Sequence, residues 1–220
     1  MHDCVGAPHH TACHVQARTP DLFDYRGDDV KQETSAKIET PRLILNKLRA
    51  DDDVALFSYR GDPEVSRYQG WKPSTIAEAA DFIAKQTSVD FGVPGSWYQL
   101  AIRDRESGEL VGDFGIHFPQ TKDDAIEFGL SLAPKQQRKG IAREVMRAAI
   151  GRAFGAWGYR RIVGSVDPRN LPSVALVKAL GFRLEAHHVE SFYLRGEWVD
   201  DMIFALLARE WFSAGKQSFR

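Results

Sequence analysis

Apolar side chains fall at Ala142, Val145, Met146, Ala149, Ile150, Ala153 and Phe154, in alternating steps of three and one. That spacing draws a single stripe along a helix, with Arg143, Glu144, Arg147 and Arg152 on the other side. Upstream, Leu43-Ile44-Leu45 between Thr40 and Asn46 reads as a first strand. Asp51-Asp52-Asp53 then precede Val54, Leu56 and Phe57, an acidic first turn suited to the positive end of a helix. A second helix is expected from Thr75 to about Thr87. After Gly92-Val93-Pro94-Gly95 the pattern becomes that of strands: 97–102, a Ser107-Gly108 turn, 110–116 and 125–132, an antiparallel meander. Beyond the striped helix come a strand at 161–166 and a short helix from Pro172 to Leu180 stopped by Gly181. A closing hairpin follows, 182–193 and 198–207, turning at Arg195-Gly196. The order is β α α β β β α β α β β, with no internal repeat.

Residues 1–36 show neither period and are rich in His, Asp, Gly, Pro and Thr. We expect a flexible extension there, a domain over 37–213 and a short tail at 214–220. His2, Cys4, His9, His10, Cys13 and His14 are all ligating types, yet their spacing matches no closed zinc site, and no metal is expected. Of the 220 residues 43% are hydrophobic and 27% charged, which suits a globular domain with a real core. Lys and Arg number 29 against 30 Asp and Glu, so no global field exists to hold nucleic acid, and any anion site must be local. The longest apolar run, seven residues from Met202 to Ala208, is far short of the roughly 20 that span a membrane. Two cysteines give no disulfide framework and point to the cytoplasm.

The local anion site is Gln137-Arg138-Lys139-Gly140-Ile141-Ala142, between a strand and the striped helix. Unpaired N–H groups at a helix start, with the helix dipole behind them, cradle phosphate, and Gly140 and Ala142 leave the backbone approachable. Lys135, Arg138, Lys139 and Arg143 add positive charge. It is neither a Walker loop nor a dinucleotide turn, and a basic strand-to-helix turn without a ligand fits the same residues.

The series Gln-x-x-Gly-x-Ala at the start of an amphipathic helix, then Asn170-Leu171-Pro172-Ser173 and Leu180-Gly181-Phe182, resembles the GNAT superfamily of acyl-CoA-dependent N-acetyltransferases. Glu39-Thr40-Pro41-Arg42-Leu43-Ile44-Leu45 and Trp198-Val199-Asp200-Asp201 are similar, more narrowly, to the RimJ/RimL-type branch. The resemblance spans 38 to about 212. It implies an α/β (α+β) fold, a mixed, mostly antiparallel twisted sheet of about seven strands flanked by about four helices. The strands would splay where acyl-CoA binds. It implies that the N–H groups around Gln137, Arg138, Lys139, Gly140, Ile141, Ala142 and Arg143 hold the CoA pyrophosphate. Leu130, Ser131 and Leu132 would lie along the pantetheine arm, which fills the gap as a pseudo-strand.

Asn170 would reach the pantetheine and Ser173 the departing thiolate, although Asn170 before Leu171-Pro172 also reads as a plain helix N-cap. Many relatives carry a Tyr acid later in this helix, where this chain has Val177. An alkylamine is mostly protonated at neutral pH, so a base is needed. Alternation puts Glu127 with Gly129 and Ser131 on one face, where relatives place a carboxylate base; a solvated charged residue is the other reading. Asp113 and His117 share a face of the neighbouring strand, and a histidine is a residue type that can accept a proton in catalysis; a surface or core-satisfied histidine is the other reading. Tyr68, Trp71, Trp97, Tyr98, Phe118 and Tyr193 would line the acceptor site, although aromatics so placed also read as core; Asp113, Asp123 and Asp124 would offer a negative mouth for a cationic amine, with a solvated turn as the other reading of the last two.

The expected activity is acetyl transfer from acetyl-CoA to a primary amine, a protein N-terminus or a small molecule, by direct attack in a ternary complex. Neither cysteine lies near the site to serve as a nucleophile. A catalytically silent acyl-CoA-binding sensor is the alternative. Neither nucleic acid nor membrane is an expected partner, and a homodimer would form through the sheet edge or the closing hairpin.

Overall fold

The computed structural model describes residues 36–121 and 124–217, so the His/Cys-rich segment and Asp123 lie outside the described residues. Its spine is an eight-stranded sheet in the order β1-β2-β3-β4-β5-β6-β8-β7. The strands are β1 (Ile38–Glu39), β2 (Leu43–Lys47), β3 (Ser96–Asp104), β4 (Leu110–Phe118), β5 (Ala125–Leu132), β6 (Arg161–Val166), β7 (Arg183–Leu194) and β8 (Glu197–Leu207). Every neighbouring pair is antiparallel except β5–β6. The mixed, mostly antiparallel sheet is the expected one, with one strand more than the pattern predicted. The addition is β1, whose two residues are too few to show a period.

One face of the sheet is apolar and packs on α4 (Ile141–Gly155). Val145, Met146, Ala149, Ile150, Ala153 and Phe154 from the predicted stripe are all buried there, against Leu100, Phe114, Ile116, Ile126, Ile162 and Phe204. Tyr98 and Phe118, read as acceptor lining, belong to this core instead. The other face carries α1 (Asp53–Arg60) and α3 (Ile76–Thr87), which enclose Leu48, Leu56, Tyr59, Ala79, Ile83 and Ala101. Thr75 caps α3, its hydroxyl accepting from the Glu78 N–H at 3.1 Å.

Three local expectations change. The acidic stretch is divided: Asp53 stands in the first turn of α1 as expected, but Ala50–Asp52 form a 3-10 turn, and Asp52 is buried in a bidentate pair with Arg103 (2.8 and 2.6 Å). A single turn, α2 (Pro63–Ser66), follows α1. The last described element is α6 (Ala208–Gln217), preceded by α5 (Leu171–Ala179), so six α-helices stand among the described residues where about four were expected. The hairpin turn is as predicted, with Arg195 and Gly196 both at positive φ (47° and 93°), the geometry of a tight two-residue turn.

Candidate active site

Strands β5 and β6 pair only at Ala125–Arg161, Ile126–Ile162 and Glu127–Val163. Past Glu127 they separate: β5 stays bonded to β4 and β6 to β8, leaving a wedge between the facing edges of Gly129–Leu132 and Gly164–Val166. Among the described residues those facing edges have no strand partner across the wedge. Glu127 stands at its vertex.

After the end of β5, Gly140 (φ +79°) caps α4, and Arg138 also adopts a left-handed conformation (φ +60°). Glu144 N–H makes the first bond of the helix, to the Gly140 carbonyl at 3.1 Å. The N–H groups of residues 138–143 find no acceptor among the described residues. A Cβ at Gly140 would meet only Arg42 Nη2, 3.7 Å away, so the space over these donors is open. Gln137 Nε2 donates to the Leu132 carbonyl (3.2 Å) and ties the loop to the wedge. Six orphan donors at a helix start, with Arg138, Lys139 and Arg143 beside them, fit an anion of diphosphate size.

On the face opposite α4, residues of three strands stand side by side: Trp97 beside His117 and His117 beside Glu127; next Gln99, Gly115 and Gly129; then Ala101, Asp113 and Ser131. The Trp97 indole lies over the two glycines, and a Cβ at Gly115 would come within 2.9 Å of its Cε3. It stacks on His117 (centroids 5.0 Å apart, planes 24°) and remains 40% exposed. His117 Nδ1 lies 3.5 Å from Glu127 Oε2, and both side chains keep just over a quarter of their surface, 27% and 28%. Desolvation pushes the Glu127 carboxyl above its ordinary value and the nearby Asp201 charge adds to this, while His117 works against it. Asp201 is held by Ser165, whose hydroxyl donates at 2.7 Å.

Asp113 requires a correction. It offers no charge to an incoming amine, because it is 0% exposed. Its carboxylate accepts from Tyr59 Oη (2.8 Å), from Arg60 through Nε (2.9 Å) and Nη2, and from Gln99 Nε2. Arg60 Nη1 also donates to Gln69 Oε1 (3.1 Å), and its guanidinium lies 5.9 Å from the Trp71 ring centroid. Trp71 is stacked on Phe82 at 4.2 Å. The buried pair thus joins the sheet to the segment after α2 and supports Trp71 from below.

Tyr193 is not brought to this cluster. It lies exposed on β7, the outermost strand, in an edge-on contact with Trp198 (5.3 Å). Ser131 faces the wedge region with a buried hydroxyl that has no partner among the described residues, while Leu130 and Leu132 lie on the α4 side. Asn170 caps α5, its Oδ1 accepting from the Ser173 N–H at 3.3 Å, and Val177 is buried in the core.

Sequence reasoning named Tyr68 for the acceptor site but missed Arg195 and the distant bonds that both residues make. Arg195, at the hairpin turn, donates to the carbonyls of Ser66 (2.7 Å), Arg67 (3.2 Å) and Gln69 (2.9 Å). Tyr68 Oη donates to the Arg169 carbonyl at 3.2 Å, next to Asn170. Partners more than 100 positions apart leave no periodic signal in the chain.

Comparison with known proteins agrees with this geometry. Residues 42–183 match the acetyltransferase (GNAT) domain family. The chain is 31% identical over 173 residues to the uncharacterized N-acetyltransferase p20 of Bacillus licheniformis, covering 78% of this chain and 96% of that protein. It is 27% identical over 197 residues to the [ribosomal protein uS5]-alanine N-acetyltransferase of Escherichia coli K12, covering 86% and 98%. The crystal structure of a GNAT-family acetyltransferase from Bacillus anthracis superposes with a TM-score of 0.70 at 25% identity, over 79% of this chain and 99% of the other. The chain belongs to the GNAT acetyltransferase family. It is an enzyme, an N-acetyltransferase of a family whose acetyl donor is acetyl-CoA.

Proposed function

We propose that this enzyme transfers the acetyl group of acetyl-CoA to a primary amine, either a protein N-terminus or a small molecule, by direct attack in a ternary complex. The observation that carries the reading is the parting of β5 and β6 at Glu127, which sets a raised-pKa carboxylate at the vertex of a wedge whose mouth is the 138–143 donor loop. In this reading Arg138–Arg143 hold the diphosphate, and Gly129–Leu132 bond the pantetheine arm. The donor supplies a thioester carbonyl activated toward amines.

Glu127 takes the proton of the attacking amine. Its raised pKa, set first by desolvation, makes it a stronger base than an ordinary carboxylate. His117, 3.5 Å away and partly exposed, passes that proton to water. As the C–N bond forms and the C–S bond breaks, the thiolate takes a proton from Ser173 or water, with the Asn170 carboxamide beside it. Trp97, stacked on its glycine floor, and Trp71 wall the acceptor side. The similarity to the uS5-alanine enzyme supports an N-terminal amine as one acceptor class.

Among the described residues no helix is long and apolar enough to cross a membrane, and we assign the enzyme to the cytoplasm. We also assign homodimerisation to the edge of β7, where Leu184, Val189 and Phe192 are exposed; light scattering measures the mass.

Calorimetric titration of acetyl-CoA into wild type and Gly140→Glu tests the reading. Micromolar binding to wild type, abolished in a variant of unchanged melting temperature, supports it and opens an amine screen. No wild-type binding overturns it.

A further inference from the structure

The Thr40-Pro41-Arg42 segment ahead of β2 lies about 100 positions before α4, yet the structure presses it against the first turn of that helix. Thr40 Oγ1 donates to Glu144 Oε1 at 2.6 Å, and the Arg42 backbone N–H reaches the same oxygen at 3.2 Å. Arg42 Nε and Nη2 both approach Glu144 Oε2 at 2.6 Å. Its remaining terminal nitrogen, Nη1, donates to the Lys139 carbonyl at 3.2 Å. One guanidinium therefore bridges the helix and the loop that precedes it.

That loop needs holding. Arg138 is a non-glycine residue in the left-handed region, and Gly140 follows in the same conformation, so the backbone turns sharply twice to aim its N–H groups outward. Gln137 fixes the inner side through the Leu132 carbonyl, and Arg42 fixes the outer side. The pair also answers an electrostatic problem. A carboxylate in the first turn suits the helix dipole but repels an anion bound at the same place. Glu144 is held below the ordinary carboxylate range by its bonds from Thr40 and Arg42, so it stays charged, and the Arg42 cation offsets that charge.

Resting on the reading of residues 138–143 as the diphosphate cradle, we propose that Arg42 is a positioning residue for CoA: through Glu144 and the Lys139 carbonyl it sets the shape of the cradle and cancels the one negative charge in the first turn of α4. This gives the Thr-Pro-Arg motif a physical role.

The test is calorimetric titration of CoA, which needs no amine acceptor, into wild type, Arg42→Ala, Arg42→Lys and Glu144→Gln, with hydrogen exchange of the free proteins. We expect Arg42→Ala to weaken CoA binding by at least about tenfold, as expected for loss of charge-assisted bonds. Arg42→Lys keeps the charge but not the fork, and should recover only part of the affinity. Exchange of the bonded amides that flank the loop, Gln137 N–H on the Pro134 carbonyl and Glu144 N–H on the Gly140 carbonyl, should quicken in both Arg42 variants, while the α4 amides after Glu144 keep their protection. Lysine restoring full affinity and slow exchange would overturn the positioning role, as would wild-type affinity in Arg42→Ala. Glu144→Gln separates the two parts of the proposal: faster exchange of the Gln137 amide supports the clamp, and unchanged exchange contradicts it. Absence of CoA binding by wild type would instead sink the cradle itself. Should Arg42→Ala not fold, Arg42→Lys carries the same comparison.

Discussion

The two faces of the sheet solve different problems with different chemistry. Against α4, Phe114, Ile116, Ile126 and Ile162 meet Val145, Ala149 and Ile150 with no polar group among them. On the opposite face two buried ion pairs, Arg103–Asp52 and Arg60–Asp113, sit beneath α1, and beyond them Trp97, His117 and Glu127 reach the vertex of the wedge. The apolar face supplies stability by burial, roughly 25 cal/mol per Å² removed from water. The polar face holds groups that a hydrophobic core could not satisfy, and the four charged members of the two ion pairs are each fixed by named partners. On the proposed reading, the chemistry belongs to the face where charged groups are buried in pairs, and the other face makes the fold.

Breaking the comparison begins with the buried charge. Asp113→Ala leaves Arg60 buried without its anion and should cost about 3–5 kcal/mol in urea denaturation at neutral pH. A loss below about 1 kcal/mol would mean that the pair behaves like a solvated one. On the other face Ile150→Ala removes methyl groups from a fully buried site and should cost about 2–5 kcal/mol. The two differ in what else they change: Asp113→Ala also loosens the support of Gln69 and Trp71, and should alter amine selectivity, whereas Ile150→Ala should not. Equal selectivity in the two variants would count against the division of labour.

A smaller effect tests the rim. Glu185, paired with Arg161 and Arg183, is pulled down to about 2. A carboxyl with a lowered folded pKa contributes stability above its unfolded value of 4.5, and that contribution is lost as pH falls from there toward 2. Glu185→Gln should therefore reduce the acid sensitivity of the melting temperature between those pH values by a modest amount, since the pair is partly exposed.

How much of this was legible beforehand follows the same division. The stripe of α4, the strands of the meander and the Arg195-Gly196 turn all report a period or a turn preference of neighbouring residues, and such signals survive in one chain. The unpaired N–H groups ahead of α4 were legible too, because a helix start needs only a glycine and a position. That Glu127 shares a face with Gly129 and Ser131 was legible through alternation on β5. What could not be read were partners distant in sequence: Asp113 looked like a free anion because nothing near it announces Tyr59 and Arg60, more than 50 positions away. Arg42 and Arg195 were hidden in the same way. The helix α6 escaped because Ala208, Trp211 and Phe212 give it a single short apolar turn, directly after the apolar run of residues 202–207 that ends β8.

The central claim is that a backbone cradle binds the donor while a separate side-chain face does the chemistry. Glu127→Gln tests this most directly, with the acetyl-CoA dissociation constant measured by calorimetry and turnover measured against an amine found by screening. The account predicts unchanged binding and a fall in kcat of about 100-fold or more. In wild type it predicts an acid limb of the rate profile above the ordinary carboxylate range, because Glu127 is raised and must be ionised to act. Wild-type turnover in Glu127→Gln, or loss of turnover only in step with loss of acetyl-CoA binding, would contradict it.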